Sequence, residues 1–236
     1  MCGLTGCWTK QTDAPLRASV QAMSQTLHHR GPDAGAIWVD ESQEIGLGHR
    51  RLKVIDLSEN GAQPMHSACN RYVLVFNGEI YNHQALRTEL EECKLAPTWR
   101  GHSDTEILLA GFVAWGVIAT LQRAVGMFSL ALWDKTERRL TLGRDRFGEK
   151  PLYYGWLGKG SCQTFVFGSE LKALRAFPDF DNPINRDVLA LYFQFLTVPA
   201  PYSIFQDIFK LQPGHILVLQ NEGFNHRAVK IEPYWQ

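Results

Sequence analysis

The sequence has no excess of charge of either sign. Its 24 basic and 24 acidic side chains give a formal net charge of +0 at pH 7. Proteins that bind nucleic acid or anionic membrane surfaces usually carry a basic excess, so we expect neither as a partner. With 236 residues, 45% of them hydrophobic, the chain is long enough for one large soluble domain or two small ones.

The chain also lacks a disulfide or metal-binding pattern. Its five cysteines are odd in number and none are spaced as Cys-x-x-Cys, which argues against a disulfide framework and a zinc ribbon. The eight histidines include no His-x-x-x-His or His-Glu-x-x-His spacing, so we expect no metal. This cysteine usage predicts a reducing, cytoplasmic location.

Long hydrophobic runs are absent as well. The N-terminus has neither the basic start nor the apolar segment of a secretory signal. The longest uncharged apolar run, ILLAGFVAWGVIATL at positions 107–121, is shorter than the roughly 20 residues of a membrane span. It also contains Gly111 and Gly116. We therefore predict a buried helix there and no membrane partner.

Strand-like segments dominate the first half of the chain. The runs GLTGCWT, AGAIWVD, IGLGHRRL and YVLVFNGEI are rich in β-branched and aromatic residues and are separated by turn clusters. Two helices are predicted next. One begins near Asn82, a good N-cap. The other begins at SDTE, where Ser103 and Glu106 have the capping-box spacing, and continues through the apolar run.

Strands return in the second half. MFSLALWD and RRLTLGRD flank KTE and are typical of a hairpin, while PLYYGWL, TFVFGSE and HILVL indicate further strands. ELKALRAF and NRDVLALYFQFL are predicted helices, the latter capped by Asn185. Groups of strands with two helices between them predict a layered α+β domain rather than regular βαβ alternation.

A cysteine directly follows Met1 in the opening MCGLTGC. Its plain interpretation is a small buried hydrophobe, and we assign that structural role to Cys7 on the same predicted strand. Because Cys2 directly follows Met1, it has a second interpretation as an N-terminal catalytic residue. Cysteine is small enough for Met1 to be removed enzymatically, and the freed α-amine has an ordinary pKa of about 8, which suits a general base at neutral pH. One residue would then supply both nucleophile and base.

The motif FNGEI at positions 76–80 allows two interpretations. Asn-Gly is typical of a tight type I′ hairpin turn. However, the residues that follow enter a helix rather than a returning strand, which allows an oxyanion hole instead. The Asn77 amide and the Gly78 backbone N–H are both donors, glycine permits close approach, and Glu79 can bind a cation. The residues alone leave both interpretations open.

Other charged motifs also have plain alternatives. In GHRRLKVID, strand alternation places Arg50 and Arg51 on opposite faces, so one is a surface charge and the other is able to clamp a carboxylate. In GHSDTE, helix capping and the helix dipole explain Ser103 and Asp104 without a ligand. GRDRFGEK is not a phosphate-binding loop, because Glu149 occupies the position of the lysine.

Several motifs, taken in order, resemble one family: MCGLTG, HRGPD, HRRLKVIDLS, GAQPM, FNGEIYNH, SDTE, GMFSLALWD, GRDRFGEKPLYY and FGSELKAL. They resemble the glutaminase domain of glutamine-hydrolysing asparagine synthetases, a class II glutamine amidotransferase domain of the N-terminal nucleophile (Ntn) hydrolase superfamily. The resemblance runs from Cys2 to about Trp235. It implies an α+β fold that is a four-layer αββα sandwich of two mainly antiparallel sheets, the Ntn-hydrolase fold.

The resemblance also implies a reaction, the hydrolysis of L-glutamine to glutamate and ammonia. It assigns the nucleophile to Cys2, with the α-amine of the same residue moving the proton. It assigns stabilisation of the tetrahedral oxyanion to Asn77 and Gly78. The hairpin-turn interpretation of FNGEI loses weight accordingly.

The remaining implied residues bind the amino-acid end of glutamine. The resemblance assigns the substrate carboxylate to Arg51. It assigns the substrate ammonium to Glu79 and Asp104, helped by backbone carbonyls near Val54 and Ile55. These groups match the charges of glutamine, because a cation and two anions accompany the paired amide donors.

The chain departs from the family in two respects. Lys53 stands where the family often has a small residue, which matters little if this position contributes only backbone. More importantly, no Ser-Gly-Gly-x-Asp-Ser nucleotide-binding motif occurs. We therefore interpret residues 2–236 as a glutaminase domain separated from an absent C-terminal ATP-dependent synthetase domain. The glutaminase half needs no cofactor, and ATP and Mg²⁺ are expected only in that second domain.

The expected partners are L-glutamine and the ammonia-accepting synthetase domain, and a homodimer is left open. Asparagine is the expected product of the complete protein. The alternatives are amidation of a sugar, an antibiotic precursor or another carboxylate, or a catalytically silent interaction module. The intact candidate set argues against a silent module. One condition applies to the catalytic interpretation: the α-amine belongs to Cys2 only after Met1 has been removed.

Overall fold

The computed structural model describes residues 1–9, 15–54, 57–158, 163–178, 180–221 and 228–235. Within these ranges the strands are β1 (Gly3–Thr9), β2 (Ala34–Asp40), β3 (Ile45–Arg51), β4 (Met65–His66), β5 (Tyr72–Ile80), β6 (Gly126–Asp134), β7 (Arg139–Arg144), β8 (Tyr153–Leu157), β9 (Thr164–Gly168), β10 (Ile208–Lys210), β11 (His215–Gln220) and β12 (Lys230–Pro233). The helices are α1 (Leu16–Gln25), α2 (His83–Glu92), α3 (Asp104–Trp115), α4 (Val117–Arg123), α5 (Leu171–Arg175) and α6 (Arg186–Phe195).

In the described part of the chain, the strands form two six-stranded sheets. The first has the order β10-β8-β9-β1-β3-β2, and the second has the order β12-β11-β7-β6-β5-β4. The pairs are antiparallel in both sheets. The predicted hairpin around KTE is confirmed, since β6 and β7 pair with Asp134 opposite Arg139.

The apolar side chains are arranged so that the two sheets pack face to face. Trp8 and Leu47 of the first sheet meet Trp133 and Leu217 of the second in one buried cluster. The rings of Trp8 and Trp133 pack edge to face with their centroids 4.9 Å apart. Helices α1 and α5 cover the outer face of the first sheet, and α2, α3 and α4 cover that of the second. The predicted four-layer αββα sandwich is therefore confirmed.

The apolar run at 107–121 is neither wholly buried nor one helix, so this prediction is only partly correct: residues 107–112 are buried, whereas Val113 and Ile118 are exposed. Gly116 has a φ of +82°, which ends α3 and begins α4. A positive φ is readily adopted by glycine and costs other residues steric strain, so this glycine allows the chain to turn between the two helices. No helix in the described ranges is long and apolar enough to span a bilayer.

The capping box predicted at the start of α3 is only half correct. The Ser103 hydroxyl accepts a hydrogen bond from the Thr105 backbone N–H at 3.2 Å, as an N-cap should. The Glu106 carboxylate does not return to the N-cap. It accepts from the backbone N–H groups of Arg100 and Gly101, each at 3.0 Å. Glu106 therefore holds the loop before the helix rather than the helix end itself.

The other two predicted caps have different outcomes. Asn185 caps α6 as expected, since its side-chain oxygen accepts from the Asp187 N–H at 3.1 Å. Asn82 occupies the N-cap position of α2 but makes no capping hydrogen bond. Its side-chain oxygen accepts from the backbone N–H of Val125 at 2.8 Å instead. Asn82 thus ties the start of α2 to the segment that enters β6.

The FNGEI motif forms no turn. Asn77 and Gly78 lie inside β5, which stays paired with β6 as far as Ile80. The type I′ hairpin interpretation is therefore wrong. Glycine is required at position 78 because the neighbouring strand is too close for a side chain: a Cβ there would lie 2.2 Å from the Met127 carbonyl oxygen. Asn77 and Gly78 both line a cavity.

Candidate active site

The ends of several elements meet around a cavity of about 240 Å³. Gly3 at the start of β1 pairs with Arg50 at the end of β3, so Cys2 lies beside Arg51. The last part of β5 and the first residues of α3 complete the wall. The predicted site residues that line this cavity are Cys2, Arg51, Val54, Asn77, Gly78, Glu79 and Asp104. Ile55 lies outside the described residues.

The Cys2 thiol is half-buried and is held by one backbone residue. Its Sγ accepts a hydrogen bond from the Leu52 N–H at 3.4 Å and donates to the Leu52 carbonyl at 3.6 Å. Burial raises the pKa of the thiol, while the Leu52 N–H, the N-terminal charge and Arg51 oppose that rise. A thiol with a raised pKa is protonated at neutral pH, so it needs a base before it can act as a nucleophile.

The backbone of Cys2 is fixed by a separate contact. Arg30 Nε donates to the Cys2 carbonyl oxygen at 2.9 Å. The same guanidinium donates through Nη1 to Glu170 Oε1 at 2.9 Å. Glu170 in turn lies 3.2 Å from Lys172 Nζ. This chain of charged groups orients the residue that carries the thiol, and neither Arg30 nor Glu170 was assigned a role from the sequence.

The Asn77 amide is a buried donor without an acceptor. The side chain is 1% exposed, and its Nδ2 makes no hydrogen bond with the residues that the structure describes. A buried amide N–H without a partner is costly, so such groups in native structures require an explanation. Because Asn77 lines the cavity beside Gly78, an oxygen atom of a ligand in this cavity would satisfy it.

The residue before Asn77 is held from two sides. Gln63 Oε1 accepts from the Phe76 N–H at 2.6 Å, and His49 Nε2 lies 3.0 Å from the Phe76 carbonyl. A carbonyl oxygen only accepts, so His49 Nε2 carries the proton. Burial, together with the nearby Arg51 charge, lowers the pKa of His49 to about 4, although the bond to Phe76 opposes this. A neutral imidazole from the first sheet therefore fixes the β5 backbone next to Asn77.

Two carboxylates and one guanidinium form the charged wall of the cavity. Arg51 is 7% exposed and donates through Nη1 to the Ser58 carbonyl at 2.8 Å. Asp104 is 5% exposed, and its Oδ2 accepts from the Ile80 N–H at 2.9 Å. Burial raises the pKa of Asp104, partly offset by the Ile80 hydrogen bond. Glu79 is half-buried, and its carboxylate forms no side-chain hydrogen bond or ion pair with the described residues, so it is available to a ligand.

Sequence reasoning missed several residues of this cavity. Gln63 was noted only as part of GAQPM, and Thr105 only as part of a helix start, yet Gln63 Nε2 lies 3.4 Å from Thr105 Oγ1 in the wall. Lys150 was considered only in rejecting a phosphate loop, although it also lines the cavity. No pattern of spacing brings these positions together, because Gln63 and Lys150 come from two separate loops and Thr105 from the first turn of α3.

The comparisons with known proteins agree with this architecture. The family model described as a glutamine amidotransferase domain matches residues 1–235. The chain belongs to this family. The glutamine amidotransferase domain is 35% identical over 247 residues to asparagine synthetase [glutamine-hydrolyzing] 3 of Bacillus subtilis, covering 100% of this chain and 36% of that protein. It is 33% identical over 230 residues to amidase chry2 of Gibberella zeae, covering 96% and 31%.

The domain thus spans about a third of the length of these two relatives. Among solved structures it resembles glutamine phosphoribosylpyrophosphate amidotransferase from B. subtilis, with a TM-score of 0.71 and 18% identity. That match covers 100% of this chain and 50% of the other. The structural likeness concerns the fold, which is the predicted Ntn-hydrolase fold. The resemblance derived from the motifs is therefore confirmed at the level of family and fold.

Proposed function

We propose that this domain hydrolyses L-glutamine to glutamate and ammonia, with the Cys2 thiol as the nucleophile. The observation that carries the proposal is the buried Asn77 amide, whose Nδ2 has no hydrogen-bond partner in the described part of the chain and which lies in the same cavity as Cys2 and Gly78. A donor left without an acceptor in the resting protein is what an oxyanion hole requires, because its partner appears only when charge develops on the reacting oxygen.

The charged wall of the cavity supports glutamine as the substrate. The Arg51 guanidinium matches the substrate carboxylate, and the carboxylates of Glu79 and Asp104 match its ammonium. Val54 also lines the cavity, where its backbone carbonyl would accept a further ammonium proton, and Ile55 stays a prediction in the same role. The side-chain amide of glutamine would then extend towards Cys2.

The reaction proceeds in two steps. The Cys2 sulfur attacks the amide carbon while the Cys2 α-amine takes the thiol proton, and the resulting oxyanion is stabilised by Asn77 Nδ2 and the Gly78 N–H. The protonated amine returns the proton to the leaving nitrogen, the C–N bond breaks, and ammonia departs from a thioester. Water, deprotonated by the same amine, then attacks the thioester carbon. The C–S bond breaks, and glutamate and the free thiol are released.

This mechanism requires that Met1 is removed. In the structure Met1 lies against the cavity, and the nitrogen of Cys2 is part of the peptide bond that joins the two residues. A peptide nitrogen has no basic lone pair, so the unprocessed chain has a thiol but no adjacent amine base. The proposed active form therefore begins with Cys2.

Two measurements on the purified chain test the proposal. Intact-mass spectrometry is expected to show loss of Met1, and a glutamine analogue bearing an electrophile at the amide position is expected to add once, at Cys2. Glutamate release from glutamine, followed with a coupled dehydrogenase, is expected in the same preparation. Folded protein that has lost Met1 yet forms neither the adduct nor glutamate would refute the assignment.

For the complete protein, we propose that the ammonia is passed to an ATP- and Mg²⁺-dependent synthetase domain that forms asparagine. The names of the relatives support this, and the glutaminase half itself would need no cofactor. The contacts proposed for the cavity involve glutamine alone, so they do not determine the final acceptor, and a relative with a different name shares the domain. Assaying the longer protein with aspartate, ATP and ¹⁵N-amide glutamine tests this: labelled asparagine is expected, and its absence would leave another acceptor.

A further inference from the structure

Lys150 is a buried cation in the cavity for which the proposed reaction has no role. It lies in the segment between β7 and β8 and is 5% exposed. Its backbone is fixed: the Lys150 N–H donates to Asp145 Oδ2 at 3.0 Å, and its carbonyl accepts from Arg144 Nε at 2.8 Å. The backbone that carries the ammonium is therefore held in place by these contacts.

The ammonium has an unusually weak partner. Among the described residues, Lys150 Nζ donates its hydrogen bond to Met1 Sδ, at 3.3 Å. A thioether sulfur is a weak acceptor, and a buried ammonium is normally paired with an anion. Removal of Met1 would take even this partner away and leave the charge facing the space next to the new Cys2 α-amine.

The charged groups around Cys2 define what this cation can do. Arg51 at the end of β3, Glu79 on β5 and Asp104 on α3 line the same cavity, and Arg30 binds the Cys2 carbonyl while it is paired with Glu170. A bound glutamine would use Arg51 for its carboxylate and the two cavity carboxylates for its ammonium. Lys150 is then a cation in the cavity that neither the substrate nor an anion among the described residues neutralises.

We propose that Lys150 is a positioning residue whose ammonium keeps the Cys2 α-amine free of its proton at neutral pH, so that the amine can accept the thiol proton. The inference rests on the glutaminase function proposed above. A neighbouring cation disfavours a second positive charge, and an amine must be unprotonated to act as a base.

The charge of Lys150 is close enough to lower the pKa of the Cys2 α-amine. The methionine side chain and one peptide carbonyl separate Sδ from the Cys2 nitrogen, so the ammonium lies within about 10 Å of that nitrogen. At that distance a unit charge shifts an amine pKa by roughly 0.3 units in a water-like dielectric and by about 1.2 units at an effective dielectric constant of about 20. From an ordinary pKa of about 8, the larger shift leaves about half of the amine unprotonated at pH 7, whereas the smaller shift leaves it mostly protonated.

The test compares Lys150→Met with Lys150→Arg in the processed protein. Methionine keeps an unbranched side chain without charge, and arginine restores the charge. Lys135→Met is the matched control, because it removes one positive charge at a half-buried site outside the cavity, where Lys135 contacts Asn70. The measurement is kcat/KM for glutamine between pH 5.5 and 9.5. The acidic limb of this profile gives the apparent pKa of the base in the free enzyme, and because the amine and the thiol titrate together, that pKa belongs to the pair.

The expected result is a displaced acidic limb. In Lys150→Met the limb moves to higher pH by about 0.5–1 unit, so that kcat/KM falls about 3- to 10-fold at pH 7 and recovers near pH 9. Lys150→Arg and Lys135→Met keep the limb of the unsubstituted protein. If Lys150→Met misfolds by circular dichroism, Lys150→Gln takes its place in the same profile.

Three results would overturn the inference. A uniform loss of kcat/KM at every pH would indicate a packing role, and a raised KM with an unmoved limb would indicate direct contact with the substrate. An unchanged profile would mean that Lys150 does not act on the amine. Each leaves the glutaminase function intact, because the unsubstituted protein still releases glutamate. Absence of glutamate release from that protein would instead refute the function and the inference together.

Discussion

Cys2 and Cys7 lie at opposite ends of one short stretch of chain and occupy opposite environments. Cys7, within β1, is 0% exposed and packs in the cluster between the first sheet and α1 and α5. Burial raises its pKa to about 12. Cys2, just before β1, is half-buried, contacts a backbone N–H and carbonyl, and faces a cavity that contains Arg51. The same thiol is thus inert in the strand and accessible at its end.

The difference shows how this sandwich separates stability from chemistry. Strand interiors face apolar clusters on both sides, where an ionised or reactive group would be costly. The strand ends open on the cavity, where polar groups need not be paired within the protein. The two asparagines show the same separation: Asn77 Nδ2 has no partner among the described residues and lies at the cavity, whereas the side chain of Asn185 caps α6.

The largest effect is expected from substituting the two cysteines separately. Cys2→Ala removes the nucleophile, so glutamate release should fall by at least about four orders of magnitude while the fold is kept. Cys7→Ala should leave turnover near normal and lower the free energy of unfolding by about 1 kcal/mol, because it leaves a small cavity in a packed cluster. Coupled glutamate assays and urea unfolding distinguish the two. Equal losses of turnover would contradict the comparison.

A smaller effect is expected from the two asparagines. Asn77→Ala removes an oxyanion donor, so kcat should fall by about 10²–10³-fold with the unfolding midpoint little changed. Asn185→Ala removes a helix cap and should cost about 1 kcal/mol of stability with kcat unchanged. Steady-state kinetics and thermal unfolding measure both. Near-normal turnover in Asn77→Ala would sink the oxyanion assignment.

The sequence motifs predicted several of the strands and most of the residues proposed for the site. The ranges of β1, β2 and β5 match the strand-like runs quoted from the sequence, since alternation and β-branched residues are local signals. The candidate residues other than Ile55, which lies outside the described residues, line one cavity, because the family resemblance carries information about position that spacing alone lacks. For Asn-Gly, the local signal alone allowed a hairpin that the structure does not contain.

What could not be predicted depends on contacts between distant segments. Glu106 binds the backbone of Arg100 and Gly101, so the position of a preceding loop decided against the capping box. His49 of the first sheet binds the Phe76 carbonyl of the second sheet, and Lys150 contacts Met1 although the two are distant in the sequence. Such contacts appear only when the layers have packed, and no local pattern of residue types encodes them.

The smallest effect concerns the charged wall rather than the reacting atoms. Asp104→Asn should raise KM for glutamine by about 10- to 100-fold and change kcat less, because it removes a charge-assisted contact with the substrate ammonium. Burial raises the pKa of Asp104, so in the unsubstituted protein its charge is lost at a higher pH than for an ordinary aspartate. KM should therefore rise on acidification through that pKa, and the rise should disappear in Asp104→Asn.

The change in stability of Asp104→Asn distinguishes a loss of substrate binding from a loss of folded protein. A carboxyl group whose pKa is higher in the folded state than in the unfolded state favours folding when it is protonated and opposes folding as the pH rises above its unfolded pKa. Asp104→Asn, which keeps an oxygen for the Ile80 N–H, should thus be no less stable than the parent at pH 7. A higher KM together with a lower unfolding midpoint in Asp104→Asn would show that Asp104 supports the fold rather than binding the substrate. Its role would then be structural, like that of Cys7, rather than catalytic, like that of Cys2.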